Sequence, residues 1–317
     1  MKVLFGFLLA ALSVTGFAAT FVFGGALTKS FGVSAEVLSF LRFAIAGGMM
    51  LAVLAGTEKG RDRLKSPTRR DWLEMAWLAP VGTCFMAWCV FMGCERVSTA
   101  NASMADALTP LMIYLVDALV RRRVDLKGLC GLISGFVGAV LVIGIVDADG
   151  LKLSAYSLGD VFILMSAAVW GVYTVFGKRL NRKLGSSVFT AWTMLLGAAM
   201  IGLVLPFGDF AWPSTPKAWA LVVGLGLVST LMPFWTWNAA QKYLKTSTLA
   251  MTAYFTPVIA MGMGIVFLGE GVSWLQWLGT AFIVGSAVIE TSGRRCSRLE
   301  VPHFLWRKNH RTPENKG

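Results

Sequence analysis

The sequence predicts an all-α integral membrane protein with ten transmembrane helices, arranged as two inverted five-helix repeats. Three observations lead there. The 317 residues are 56% hydrophobic and only 15% charged, well under the roughly one quarter usual in soluble domains, and mean hydropathy is +0.66. Apolar runs of about 20 residues, each able to cross a hydrocarbon layer roughly 30 Å thick, recur along the chain. Lysines and arginines fall in alternate loops, and the second half repeats features of the first.

Taken in order, the runs are 3–24, 34–55, 73–94, 98–120, 128–146, 159–177, 187–207, 218–240, 247–269 and 274–291. Span 1 starts like a signal peptide, with Lys2 before an apolar stretch, but it stays apolar through Phe21, Val22 and Phe23 and reads as a retained helix. Span 2 carries one charge, Arg42. Cys84, Cys89 and Cys94 in span 3 are spaced so that each turns about 140° from the last and no face is shared. Span 4 holds Asp106 and Asp117, which point the same way on a helix, with Thr109, Pro110 and Ile113 on their stripe and Leu111, Leu115 and Leu119 behind. Glycines 128, 131, 135 and 138 line one face of span 5 and read as packing against another helix. Spans 6 and 7 flank the basic KRLNRK stretch, Pro233 and Pro257 interrupt spans 8 and 9, and Trp274 and Trp277 open span 10 in the manner of an interfacial belt. Residues 293–317 form a basic, polar tail with too little apolar content for a core, read as cytoplasmic and in contact with anionic lipid.

The basic residues test this partition. With the N-terminus inside, 24 of the 29 lie on the inner side and four outside, at Lys29, Arg96, Lys152 and Lys217; Arg42 lies within a span. Both termini are then cytoplasmic. The net charge of +12 reflects topology rather than nucleic-acid binding. No CxxC is present, and His303 and His310 both lie in the tail, so neither a metal site nor a disulfide framework is expected. No P-loop or cofactor motif is visible.

A shift of 147 lays Trp88 on Trp235, Thr109 on Thr256 and Pro110 on Pro257, and a shift of 153 lays Phe17 on Trp170. Residues 1–147 and 158–292 therefore read as two copies. Each has five spans, an odd number, so the second enters the membrane from the opposite face. Inverted repeats of this kind place a substrate site near the midplane.

The arginine within LSFLRFAIAG, the TP segments at Thr109 and Thr256, and the FLGEGVSWLQWLGTAFIVGSAVI stretch resemble the EamA type of the drug/metabolite transporter superfamily over residues 3–291. The resemblance implies ten helices in two inverted halves, cytoplasmic termini in a bacterial inner membrane, and export of small organic solutes such as amino acids. One departure stands out. The acidic residue after the fourth helix of a half is present as Glu270, whereas Arg122 or Arg123 stands there in the first half.

Asp106 lies roughly 12 Å into its helix at 1.5 Å per residue, where an ionised carboxylate costs about 2.5 to 3.5 kcal/mol. Arg42 lies equally deep in a helix of the same direction. Both are expected to face one cavity, paired with each other or holding opposite charges of a zwitterion. Asp117, four residues before Arg121, is expected to form a surface ion pair. Tyr114, Trp170, Tyr173, Trp235, Trp237, Asn238 and Tyr254 complete the set of candidate pocket groups, and Pro110, Pro233 and Pro257 are candidate kinks that free a carbonyl four residues earlier. The reading is a secondary transporter of a small organic solute, embedded in lipid, without a catalytic role. An exporter of lipophilic cations, a passive channel and an intramembrane enzyme are the alternatives, and the oligomeric state, a homodimer included, is left open.

Overall fold

The computed structural model describes residues 2–96, 107–143, 146–147, 150–151, 158–256, 258–259, 273–291 and 298–300. These are helical apart from turns and two short antiparallel strand pairs. The helices are α1 (Lys2–Gly25), α2 (Ala35–Ala55), α3 (Glu58–Leu64), α4 (Arg69–Ala79), α5 (Met86–Arg96), α6 (Thr109–Arg121) and α7 (Leu126–Ile143). They continue as α8 (Leu158–Leu184), α9 (Ser186–Val204), α10 (Pro216–Gly226), α11 (Met232–Ala240), α12 (Thr246–Thr252) and α13 (Trp274–Thr291). Strands β1 (Arg123–Asp125) and β4 (Arg298–Glu300) pair, as do β2 (Val146–Asp147) and β3 (Gly150–Leu151).

Among the described residues six helical stretches are long and apolar enough to cross a membrane: Lys2–Ser30, Ala35–Ala55, Arg69–Gly93, Val161–Leu184, Ser186–Phe207 and Pro216–Ala240. Expected spans 4 and 9 fall partly on residues outside the described set. The outward faces are apolar, with Val53, Leu119, Leu203 and Phe207 all more than 60% exposed. That is the surface expected of a chain whose solvent is lipid. In α6 the expected division holds: Thr109, Pro110 and Ile113 are buried, Leu115 and Leu119 are exposed, and Arg121 Nε meets Asp117 Oδ1 at 2.8 Å.

Three stretches widen into π-helical turns, at Ala26–Ser30, Pro80–Phe85 and Leu227–Leu231. Each contains a buried threonine whose hydroxyl donates to a carbonyl one turn back: Thr28 to Gly24 at 3.0 Å, Thr83 to Ala79 at 2.6 Å, and Thr230 to Leu225 at 2.7 Å. A wide turn leaves carbonyls without their usual amide partner, and in apolar surroundings each needs a substitute donor.

Packing follows a definite pairing. Helix α2 lies against α9, α7 against α13, α6 against α8 and α12, α5 against α8, and α1 against α11. Small residues set the α7 to α13 distance, since a Cβ at Gly138 would stand 2.6 Å from the carbonyl oxygen of Gly279. The glycine face of α7 also receives Tyr254, whose ring would meet a Cβ at Gly135.

Candidate functional site

Helices α1, α2, α5, α6, α8 and α11, with the chain at 253–256, line a cavity of about 80 Å³. Among the described residues the charged group in its lining is Arg42, two turns into α2 and 2% exposed. The guanidinium carbon lies 4.9 Å from the Phe43 ring centroid and 5.4 Å from that of Phe91. Arg42 Nε has no hydrogen-bond partner among the described residues. A buried cation needs an anion or dense hydrogen bonding to offset several kcal/mol of lost hydration, and two aromatic faces offset only part of that.

A second donor on the same wall is also unpaired. Trp237 is 1% exposed and lines the cavity, and its Nε1 has no partner among the described residues. The apolar remainder of the wall is an aromatic cluster. Phe17, Trp170 and Phe234 meet edge to face with centroids 5.0 to 5.6 Å apart, and Trp170 is tilted against Trp237 at 5.8 Å. Trp170 stacks on Tyr173 at 5.3 Å. Such a wall accepts an apolar or aromatic body, and the two donors accept an anionic or carbonyl head.

Behind this wall runs a buried polar layer. Asn238 Nδ2 donates to Thr190 Oγ1 at 2.9 Å and to Tyr173 Oη at 3.3 Å, and Tyr173 Oη lies 3.3 Å from Thr193 Oγ1. Asn181 Nδ2 donates to the Asn238 carbonyl at 2.6 Å. Gly82 permits the close approach of Tyr173, because a Cβ there would stand 2.3 to 2.6 Å from the Tyr173 side chain.

The residues singled out from the sequence are thus divided. Arg42 and Trp170 line the cavity, with Tyr173 and Asn238 in the layer behind them. Tyr254 lies elsewhere, buried in a cluster with α7, its hydroxyl donating to the Leu132 carbonyl at 2.9 Å. Tyr114 is in that cluster too. Trp235 faces away from Arg42 at 38% exposure and donates from Nε1 to Ser187 Oγ at 2.9 Å, so it is not part of this wall. On a helix its neighbour two positions on, Trp237, turns inward instead. Asp106 and Pro257 lie outside the described residues. Pro110 sits in the first turn of α6, where its missing N–H costs nothing. Pro233 follows a π turn, and the Ser229 carbonyl it would leave unpaired accepts from Thr20 Oγ1 at 3.1 Å.

Phe17, Thr20, Met86 and Phe234 also line the cavity and had no charge or motif to mark them, whereas Thr109, which lines it too, stood in a TP segment. The sequence shifts carried the available signal. Phe17 and Trp170, aligned by the shift of 153, touch across the cavity, and the shift of 147 pairs Thr109 with Thr256 and Val90 with Trp237, all four of which line it.

A bundle of apolar membrane helices around a cavity with donors unpaired among the described residues fits a membrane transporter. The model of the EamA-like transporter family matches residues 4–144 and again 157–291, and the chain belongs to that family. An uncharacterized transporter of Archaeoglobus fulgidus is 23% identical, aligned over 80% of this chain and 87% of its own. An aromatic amino acid exporter, YddG of Ancylobacter novellus, is 26% identical over 80% and 87%. A protein of known crystal structure superposes with a TM-score of 0.73 at 25% identity, covering 92% of this chain and 95% of its own. The family and these named relatives are transporters, not enzymes, and the chain is a multi-pass membrane protein.

Proposed function

We propose that the protein is a secondary transporter exporting an amino acid with an apolar or aromatic side chain by alternating access. The observation that carries this is the coincidence, on one cavity wall, of two unpaired buried donors, Arg42 Nε and Trp237 Nε1, with the cluster of Phe17, Trp170 and Phe234. A carboxylate satisfies both donors, and the side chain packs on the rings. The deep position of Asp106 in the sequence makes its carboxylate the proposed counter-charge for the ammonium. The relative named as an aromatic amino acid exporter supports the same substrate class. A lipophilic cation fits less well, because Arg42 would repel it.

Two further observations support a duplicated, alternating machine. The family model matches the chain twice. The π turns Pro80–Phe85 and Leu227–Leu231 begin 147 residues apart, as do their buried threonines Thr83 and Thr230. A two-fold axis exchanging the halves would also exchange the α5 to α8 packing with the α1 to α11 packing, and leave α2 to α9 and α7 to α13 unchanged. Matching wide turns give each half a place to bend around the cavity. Residues 1–147 and 158–292 are the proposed repeats, and the basic loops orient both termini, with the 293–317 tail, to the cytoplasmic side of a bacterial inner membrane.

Solute counterflow in proteoliposomes tests the reading. Purified protein is offered a panel of amino acids, nucleosides and organic cations, and wild type is compared with Asp106→Asn. Exchange of zwitterions with large apolar side chains, lost in a folded Asp106→Asn variant, is expected. Exchange of organic cations alone, or amino-acid exchange unchanged in the variant, defeats the proposal.

A further inference from the structure

A second cavity, of about 220 Å³, opens on the face of the bundle that carries the start of α1. It is lined by Arg63, Ser186, Ser187, Trp235 and Lys242, with Phe5 at its rim. The first turn of α9 forms one wall. Ser186 is its first residue, Gly185 provides no side-chain cap, and the first turn holds no acidic residue. Ser186 is 4% exposed, and its hydroxyl has no hydrogen-bond partner among the described residues. Arg63 and Lys242 form no ion pair among the described residues.

The first half shows how the corresponding position is completed. Helix α2 begins at Ala35 as α9 begins at Ser186. The carboxylate of Glu95 lies beside the Ala35 backbone and Glu36 at that end, and Trp88 Nε1 donates to Glu36 Oε1 at 2.8 Å. Under the shift of 147 Trp88 corresponds to Trp235 and Glu95 to Lys242, while Glu36 and Ser187 are each second in their helix. Where the first half supplies two carboxylates to a helix N-terminus, the second supplies two hydroxyls and a lysine. The dipole and the free N–H groups at that end still favour negative charge, and no carboxylate among the described lining residues supplies it.

We propose that this cavity binds an anionic phosphate group: the α9 N-terminus and Ser186 hold the phosphate oxygens, and Arg63 and Lys242 neutralise them. The chemistry is shared by inorganic phosphate and by an anionic phospholipid headgroup. The aromatic rim favours the phospholipid, since Phe5 and Trp235 are 49% and 38% exposed beside the opening and suit acyl chains. Basic pockets between membrane helices take such headgroups. The binding assay in detergent does not depend on the transport reading, which enters only in assigning the cytoplasmic leaflet.

The test uses the full chain in neutral detergent. Native mass spectrometry follows binding of phosphatidylglycerol against phosphatidylcholine, and a thermal-shift titration follows inorganic phosphate. Variants are Arg63→Gln/Lys242→Gln, Ser186→Ala, Lys242→Glu, and the control Lys59→Gln/Lys65→Gln, which removes the same charge from the neighbouring segment outside the cavity. One phosphatidylglycerol per chain is expected, bound about tenfold or more weakly in the double variant, weakened in Ser186→Ala and unchanged in the control. Lys242→Glu, which places a carboxylate where the first half has Glu95, is expected to abolish binding. Stabilisation by phosphate that the double variant loses, with no preference for phosphatidylglycerol, supports the site with a soluble ligand. Phosphatidylglycerol and phosphate behaving alike in wild type and the double variant overturns the proposal, as does equal loss in the control.

Discussion

Replacing Arg42 with methionine separates a substrate-binding cation from a structural one. The guanidinium is 2% exposed, lies over Phe43 and Phe91, and leaves Nε unpaired among the described residues. Burying such a charge costs several kcal/mol, and each ring returns on the order of 1 to 2 kcal/mol. The rings offset only part of the cost, so methionine, of comparable length and no charge, should leave the substrate-free protein within about 1 kcal/mol of wild type or make it more stable. With substrate bound the balance changes, because each hydrogen bond between Arg42 and a carboxylate is worth about 1.5 to 3 kcal/mol. Losing two weakens binding by about a hundredfold or more. The assay pairs a melting temperature in detergent with amino-acid counterflow in proteoliposomes. An unchanged or higher melting temperature with counterflow reduced at least tenfold is expected. A melting temperature lowered by several degrees with counterflow intact would show that Arg42 is a structural group and refute the reasoning.

Three further outcomes follow from the geometry. Gly82→Ala should destabilise by about 1 to 3 kcal/mol and lower transport, because its Cβ would overlap the Tyr173 side chain at 2.3 to 2.6 Å and push that ring toward Trp170; wild-type melting and transport would refute this. Asp71 caps α4 through the backbone N–H and hydroxyl of Thr68, at 2.8 and 2.6 Å, and meets Lys183 Nζ at 2.5 Å, tying α4 to α8. Asp71→Ala should cost about 2 kcal/mol, roughly 1 from the cap and roughly 1 from an ion pair screened by solvent at Lys183; a double-mutant cycle with Lys183→Ala showing no coupling would remove the second part. Burial raises the Glu95 carboxyl above its usual range, Glu36 adds to that, and Arg96 and the Ala35 N–H offset part of it. A carboxyl whose pKa is higher in the folded state binds its proton more tightly there, so its contribution grows as pH falls through that range and is a cost at neutral pH. Glu95→Gln should therefore raise the melting temperature at pH 7 and lose that advantage near pH 4; a constant difference across this range would refute the assignment.

Most of the fold was legible because lipid imposes few solutions on an apolar chain. Seven of the ten spans match described helices to within a few residues, for example 34–55 with Ala35–Ala55 and 274–291 with Trp274–Thr291, since length and hydropathy decide them locally; span 6 stops short of Leu184, where its helix continues through the basic KRLNRK stretch. The π turns were not legible. They depend on a threonine hydroxyl reaching a particular carbonyl, and Thr28, Thr83 and Thr230 resemble any other threonine in an apolar run. The short α3 was missed for a related reason: it is polar and held by Thr57 Oγ1 accepting from the Gly60 N–H at 3.1 Å, a cap worth about 1 kcal/mol that periodicity does not register. In the site, charge made Arg42 visible, whereas Phe17, Phe234 and Trp237 could be located only by knowing which face of each helix turns inward. For Trp235 and Trp237 that choice rests on tertiary packing, because both are tryptophans in one apolar helix.

The divergence between corresponding positions bears on how a bound solute could bias the relative arrangement of the two halves. If the halves were identical, any group facing the cavity would appear twice, and an asymmetric solute would meet the same donor at both ends. Here Arg42 corresponds to a leucine, Leu195, under the shift of 153, and Trp237 corresponds to Val90 under the shift of 147. The donors thus come one from each half. A carboxylate bridging Arg42 of α2 and Trp237 of α11 would contact both halves at once, and its contribution changes when they move relative to one another. Differential contact of this kind is what a ligand needs in order to bias a conformational equilibrium; a group held entirely by one half would bind equally well in either state and shift nothing.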